Sequence, residues 1–478
     1  MDTIKPVDEA SRDLAARLEG QGVEFVLGAW VDVVGRAKSK LVPIGHLDQM
    51  LAGSERYTPR GMGDLGQMNA TEDECVAMPD PSTLTILPWD RRVAMMNADL
   101  LFGGRTPWEN CPRSTLKSVL ARAEALGYRF NLGVETEFYV YRRDTLPSLV
   151  PLSSVDRLHP TPCYDVETAL DSLDFLGRVS GYMSECGFSL FSLDQEGGDG
   201  QYELDFAHDS CLAACDKLTL LRLMLRQVAK ELDAVVTFMP KPARGVWGSG
   251  AHMNMSLESV ETGENLFRSP DGSSGRWSGG SSGGSPGGSS GGRSGGWTKL
   301  AMSFVAGVLS HARALAALTT PTVNSYKRLV GSLGDGSISW APVWAAWGEN
   351  NRSCMIRMPD NRPAIENRAV DISANAYLAS AFTLAAGLEG IALGLDPGPP
   401  ARDATYTWDA RRRRSADGHD RLPRTLLEAI EAFADDPLVH EVFAPGFIAD
   451  YTDMKYREWD DYASEITRWE LDRYLTNL

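Results

Sequence analysis

The chain has 478 residues, 43% hydrophobic and 23% charged, the balance of an ordinary globular protein with room for two domains. Its 47 basic against 64 acidic residues leave a net charge of −17, which repels nucleic acid and anionic membranes and excludes both as expected partners. The seven cysteines contain no Cys-x-x-Cys pair and read as buried reduced thiols. With no signal-peptide pattern in residues 1–16 and no run of ~18 apolar residues, a cytoplasmic protein is expected.

In chain order, Val23–Val34, the turn Gly35-Arg36 and Ala37–Val42 predict a hairpin. Short strands and loops follow to about Leu100. A helix from Cys111 to about Gly127 has Leu116, Leu120 and Ala123 on one face, and a domain boundary is placed between 103 and 113, giving segments 15–108 and 109–478. Arg129–Tyr141 predicts a strand, Val166–Gly187 a helix, Phe188–Leu193 and Gln201–Phe206 two strands, and Ser210–Asp233 a long helix. Val235–Met239 and His252–Leu257 are expected as strands, Thr298–Leu318 and Ala374–Gly394 as helices, and the tail from Leu422 as helical, with Trp459 and Trp469 as packing residues. Residues 272–296 are almost all glycine and serine, a surface insertion whose ends, as free coil, would lie about 25–30 Å apart. No Gly-Lys-Ser/Thr follows these glycines, so a P-loop is rejected.

Strand periodicity puts Glu135 and Glu137 on one face, where two like charges repel unless a cation lies between them. Glu196 and Glu203 flank the glycine-rich turn 197–200, and His252 follows Gly248-Ser249-Gly250-Ala251, glycines that let backbone approach a ligand closely. His252, Asn254 and Ser256 share one strand face, and Glu366 completes six hard or borderline ligands suited to Mg²⁺ or Mn²⁺. Taken singly each has a plain alternative: an exposed strand pair, a solvated acidic loop, a structural histidine. Arg328, Arg352, Arg357 and Arg368 fall within about forty positions and offer bidentate donors to phosphate or carboxylate. Together the set predicts dications holding a polyphosphate, hence ATP-dependent chemistry.

Glu-Thr-Glu-Phe (135–138), Met-Pro-Lys-Pro (239–242) with Gly-Ser-Gly-Ala-His, Asn-Ser-Tyr-Lys-Arg (324–328) and Asn-Arg-Ser (351–353) jointly resemble the glutamine synthetase family, within it the γ-glutamylmethylamide synthetase branch, from about residue 20 to the C-terminus. The resemblance implies an α+β fold, a β-grasp domain followed by a catalytic domain on a curved antiparallel sheet flanked by helices. It implies a homo-dodecamer of two hexameric rings with sites between subunits. It gives Glu137, Glu196 and Glu203 to one cation and Glu135, His252 and Glu366 to a second. Arg328 and Arg368 would grip a glutamate-like amino acid near the backbone of Gly248. Arg352 and Arg357 would meet phosphate, with Arg328, Arg352 and Arg368 as the catalytic arginines, and Asn254 and Ser256 would line the ATP pocket. The implied reaction phosphorylates the side-chain carboxylate to an acyl phosphate, which an amine displaces to form an amide.

Three positions depart from ammonia-using members. Trp340 stands before Ala341-Pro342 where those carry a glutamate, Trp247 stands where asparagine is usual, and Asn254 replaces a frequent histidine. An apolar wall in place of the acid favours a larger or alkyl-bearing small amine. Asp64 is a candidate for the lost acidic contact, donated by a neighbouring subunit; a surface-loop aspartate is the equal alternative. Two other readings stand beside this one: an ordinary glutamine synthetase using ammonia, and a non-catalytic ring protein of the same family, against which the complete ligand set argues.

Overall fold

The computed structural model describes residues 9–58, 71, 73–103, 106–158, 163–268, 296–332, 338–409 and 418–476. Helix α1 (Glu9–Gly20) leads into β1 (Phe25–Val31), β2 (Ala37–Lys38) and β3 (Leu41–Pro43), then α2 (Leu47–Leu51), β4 (Arg56–Tyr57), β5 (Cys75–Pro79), β6 (Thr85–Ile86), β7 (Val93–Phe102) and β8 (Thr106–Pro107). These strands form one mixed sheet in which β1 runs parallel to β7 and the other pairs are antiparallel. The expected hairpin is present, with Gly35 at φ +83 in its turn. Neither α1 nor α2 was expected from the sequence.

Helix α3 (Pro112–Ala125) opens the second part. Proline at its first turn loses no hydrogen bond there. β9 (Tyr128–Arg142) follows, then α4 (Val166–Asp171), α5 (Leu173–Glu185), β10 (Leu190–Gln195), β11 (Gln201–Phe206), β12 (Asp209–Ser210), α6 (Cys211–Glu231), β13 (Ala234–Thr237) and β14 (Ala251–Ser259). After the insertion come α7 (Lys299–Ser310), α8 (Ala312–Thr319), α9 (Ser325–Arg328), β15 (Trp347–Glu349), β16 (Ile356–Met358), β17 (Ile365–Asn367) and α10 (Ala376–Leu393). Helices α11 (Leu426–Asp435), α12 (Pro437–Val442), α13 (Pro445–Ser464) and α14 (Arg468–Tyr474) complete the described chain.

The second sheet runs β10-β11-β9-β14-β17-β16-β15 and is antiparallel except at β15/β16. The fold is therefore the expected α+β one, a curled sheet flanked by helices. β9 carries the sheet's centre: β11 and β14 border it, and its side chains are buried on both faces along most of its length. Helix α10 is apolar all round because it is a core helix. Gly390 and Gly307 let α7 approach it at backbone distance, since a Cβ at Gly390 would lie 2.6 Å from the nitrogen of Gly307, and Gly387 makes room for the Phe304 ring. Asn375 caps its start with its side chain, and Gly394 at φ +60 ends it.

Several expectations are corrected. Thr298–Leu318 is two helices, α7 and α8, bent by 76°. No glycine or proline marks the break. His311 sits in it, with Nδ1 2.8 Å from Asp436 and Nε2 2.6 Å from Glu389, so partners distant in sequence hold the residue at the bend. Val166–Gly187 likewise divides at Ser172 into α4 and α5. Residues 269–295, most of the Gly/Ser insertion, lie outside the described residues, but its ends are adjacent, because Arg268 bridges Trp297 and the Thr298 hydroxyl donates to Leu266 (2.7 Å). Helix α10 is long and apolar enough to cross a membrane, contrary to the expected absence of such a stretch, but it is 78% buried within the fold. Trp459 packs on the core as expected, whereas Trp469 is exposed, with its ring against its helical neighbours Arg473 and Tyr474.

Candidate active site

The register of the central strands assembles the site. β14 lies antiparallel to β9 so that His252 faces Glu135, and β11 places Glu203 opposite Glu137. β17 brings Glu366 beside Asn254. As the two-residue period predicts, one histidine reaches both carboxylates of the Glu-Thr-Glu run: Nδ1 is 3.0 Å from Glu135 and Nε2 3.5 Å from Glu137. Glu366 lies 3.8 Å from the same Nδ1.

Ligand atoms of Glu135, His252 and Glu366 come together in one group that could hold an ion, the trio the sequence expected. The other expected trio differs in detail, for Glu137 and Glu203 gather with His252, and Glu196 lines the same cavity beside them. A further group, Asp194, Glu203 and Asp205, was not foreseen.

The electrostatics favour cations. Burial, then Glu137 and Glu135, push the Glu203 carboxyl well above its ordinary range. Burial and then Glu137 carry Glu196 up to about 8, and burial with Glu135 carries Asp205 to about 6. Carboxylates crowded this closely resist ionising together unless positive charge enters. Hard oxygen donors and one imidazole fit Mg²⁺ or Mn²⁺. Glu135 and Glu366 fall the other way: burial opposes ionisation, but His252 and Arg362 hold Glu135 below the usual range and Arg368 does so for Glu366.

The glycines before His252 act by closeness. Gly250 donates its N–H to Glu137 (2.8 Å), and a Cβ there would lie 2.6 Å from His252 and 2.8 Å from Arg328. Gly248 accepts from Gln201 (3.1 Å) and leaves no room for a Cβ beside Arg328. Arg328 is buried and donates to the carbonyls of Ala369 (3.0 Å) and Arg368 (3.1 Å), while burial lowers its pKa. Arg368 bonds Glu366 and the Arg352 carbonyl, and Arg357 donates to Glu366 (2.7 Å) and Asn350 (3.1 Å). The side chain of Arg352 stands exposed at the mouth.

Glu135, Glu137, Glu196, Glu203, His252 and the four arginines line a cavity of about 510 Å³ that also contains Trp247 and Trp340, with Glu366 buried behind them. A neighbouring hollow of about 270 Å³ holds Asn254 and Ser256, and Glu135, Asp205 and Arg362 line both. Trp340 adopts φ +59, an uncommon conformation for a bulky residue, and its ring centroid lies 6.3 Å from that of Trp247. Tyr139 donates to the Trp247 carbonyl (2.7 Å), and the indole covers Gly197, where a Cβ would penetrate the ring. Asp64 lies outside the described residues.

Sequence reasoning missed Arg362, which pairs with Glu135 (2.9 Å) and Glu366 (3.3 Å). Its signal was present, a further arginine five residues beyond Arg357. It also missed Tyr164, at φ +59, and Cys163, both lining the larger cavity, and His208 in the smaller one. No local pattern marks those three.

Buried carboxylates and a histidine facing a crescent of arginines on this α+β frame are the equipment of an ATP-dependent ligase that joins a carboxylate to an amine. The chain belongs to the glutamine synthetase family: the family's sequence profile, described as glutamine synthetase, catalytic domain, matches residues 109–280 and 283–474. A glutamate–methylamine ligase of Methyloversatilis universalis is 33% identical over 458 residues, covering 96% of this chain and 97% of that protein. A glutamine synthetase of Pyrococcus horikoshii is 33% identical over 474 residues, covering 96% and 97%. A solved structure described as a GmaS/ADP complex superposes with a TM-score of 0.83 at 30% identity, over 97% of this chain and 99% of the other.

Proposed function

We propose that this ligase joins the γ-carboxylate of glutamate, or a close analogue, to a small amine other than ammonia, with ATP as co-substrate. The observation that carries the choice of amine is the indole pair, Trp247 and Trp340, on the wall of the carboxylate cavity. A small cation such as ammonium gains most from a carboxylate, whereas an organic ammonium gains from aromatic faces and from covering its alkyl carbon. The likeness to the Methyloversatilis glutamate–methylamine ligase supports this direction.

In this reading Glu137, Glu196 and Glu203 hold one Mg²⁺ or Mn²⁺, and Glu135, His252 and Glu366 hold another. Bound there, such ions would supply the positive charge that lets one anion approach another. Arg328 and Arg368 orient the amino acid against the backbone of Gly248, Arg352 and Arg357 meet phosphate oxygens, and Asn254 and Ser256 face the nucleotide. A carboxylate oxygen attacks the γ-phosphorus as the bond to ADP breaks, giving an acyl phosphate. The amine nitrogen then attacks the acyl carbon, phosphate leaves, and the nitrogen sheds a proton. The two indoles keep water from hydrolysing the acyl phosphate first. The remaining parts of the reading are an N-terminal β-grasp domain at 15–108, a catalytic domain at 109–478, and a homo-dodecamer of two hexameric rings in which Asp64 reaches a neighbour's site.

Phosphate release measured over a matrix of amino acids and amines tests this, with ammonia set against methylamine, ethylamine, hydroxylamine and hydrazine. Glutamate with an alkylamine is expected to be fastest. In Trp340→Glu the preference should move toward ammonia by about tenfold, the worth of one exposed-to-half-buried cation contact. A wild-type enzyme that prefers ammonia would instead be an ordinary glutamine synthetase.

A further inference from the structure

A second cavity, of about 1020 Å³, lies between the turn after β1, helix α6 and helix α13. It shares no lining residue with the carboxylate cavity. Four arginines line it: Arg457 on α13, which pairs with Asp453 (3.2 Å), Arg36 from the turn, and Arg222 and Arg226 one helical turn apart on α6. Arg222 gives Nη2 to the carbonyls of Ile372 and Ala374, while its Nε is buried without a partner. Arg226 lays its guanidinium 4.9 Å from the centre of the Phe238 ring. Among the described residues neither the guanidinium of Arg226 nor that of Arg36 has a hydrogen bond or ion pair; Arg36 bonds Asp32 through its backbone alone, its N–H donating to the carboxylate and its carbonyl accepting from the Asp32 N–H.

The carboxylates nearby make their hydrogen bonds and ion pairs with other groups, although the charge of Asp371 favours the charged form of Arg222 and that of Arg36 favours ionised Asp32. Glu458 accepts from the Val323 N–H (3.1 Å) and from Lys455 (2.9 Å), Asp371 accepts from Ser373 (2.9 Å), and Asp32 pairs with Lys38 (3.7 Å). Asp461 sits exposed on the cavity's lining, with no ion pair to Arg36, Arg222 or Arg226. Burial and then the charge of Arg226 bring Arg222 down to about 10, and burial and then Arg36 lower Arg226. Three mutually repelling guanidiniums are thus gathered in a chain whose net charge is −17. That arrangement is unfavourable unless an anion enters.

We propose that this cavity is a second ligand site, which takes a small dianion of dicarboxylate or phosphate type between Arg36 and Arg226, with the free Nε of Arg222 at its floor. Guanidinium forks match both kinds of anion, and the Phe238 ring supplies a flat apolar wall. The site also spans the two sheets. Asn375, at the start of α10, donates to the carbonyls of Asp32 (2.9 Å) and Val33 (3.3 Å) in the turn that carries Arg36. A bound dianion therefore fastens the first hairpin to the catalytic body.

The test is calorimetric titration of the full chain at constant ionic strength with succinate, inorganic phosphate and acetate in separate runs. It compares wild type, an Arg36→Gln/Arg226→Gln double variant (both side chains exposed, so folding is spared), and Arg357→Gln in the carboxylate cavity. At least one dianion is expected to bind saturably and more tightly than acetate. That binding should persist in Arg357→Gln and weaken about tenfold or more in the double variant, the loss expected of two charge-assisted contacts. Succinate against phosphate then tells which chemistry the site prefers. Three results overturn the proposal: no saturable dianion binding, binding lost in Arg357→Gln, or binding untouched in the double variant. A double variant that changes particle mass by light scattering while its dianion binding stays as in wild type would show a contact between copies of the chain instead.

Discussion

Around Arg113, at the start of α3, one guanidinium meets three aspartates: Asp216 through Nε and Nη2 (3.0 Å each), Asp99 (3.1 Å) and Asp80 (2.9 Å). Lys117 adds a second cation on Asp99 (2.6 Å), and the Tyr377 hydroxyl donates to Asp216 (2.6 Å). Around Glu203 the pattern is reversed. Carboxylates from β9, β10, β11 and β17 converge, and Glu196 and Glu203 are left with pKa values far above their ordinary range. Both regions are buried and both are rich in Asp or Glu. The first sets two cations of its own, Arg113 and Lys117, among its three aspartates, so it fastens the first sheet to helices α3 and α6. The second leaves a deficit of positive charge, which is what a receptor for dications must do before they arrive.

The largest effect should come from breaking the cluster around Arg113. Arg113→Met leaves the buried Asp216 without its ion pair and is expected to cost about 3–5 kcal/mol of stability in denaturant unfolding, while the folded fraction keeps its turnover. Unchanged stability would mean the cluster is not a fastener. Glu203→Gln should do the converse. Phosphate release would fall about 10²–10³-fold with Mg²⁺ present, and the metal-free protein would hold or gain stability, because a crowded acid has become neutral. Turnover close to wild type would remove Glu203 from the site.

A smaller effect is the response to pH without metal. Glu196 is raised in the folded state from 4.5 to about 8. A carboxyl raised on folding favours the protonated form, so its contribution is fully present below pH 4.5 and is lost as pH rises through about 8. The melting temperature of the metal-free protein should therefore fall across that window, and saturating Mg²⁺ should remove or reverse the slope. A metal-free protein that melts at one temperature throughout would count against the charge deficit.

Much of this site was legible because its spacing is local. Glu135 and Glu137 had to share a face once Arg129–Tyr141 was read as a strand, and the glycines before His252 announced close approach. Arg362 was missed because its value lies in reaching Glu135 from 227 positions away, and spacing says nothing about that. Tyr164 and Cys163 come from a loop with no periodicity. The bend at His311 shows the same limit in the fold. Residues 298–318 have continuous helical character, and the residue at the break is held by Asp436 and Glu389, which the local sequence does not contain. The insertion was rightly placed between a strand and a helix, but its end-to-end distance could not be had from coil statistics, because the bridge from Arg268 to Trp297 closes it.

Residue types and their short-range periods determined which elements form, which faces are acidic, and which chemistry the acids, histidine and arginines share, since these depend on backbone geometry repeating over two or four residues. Only the tertiary structure decided how the acids divide into groups, that Arg362 balances two of them, and that Trp247 and Trp340 meet. Those outcomes depend on strand register and on contacts across tens to hundreds of residues, where packing and Coulomb energies outweigh local preference.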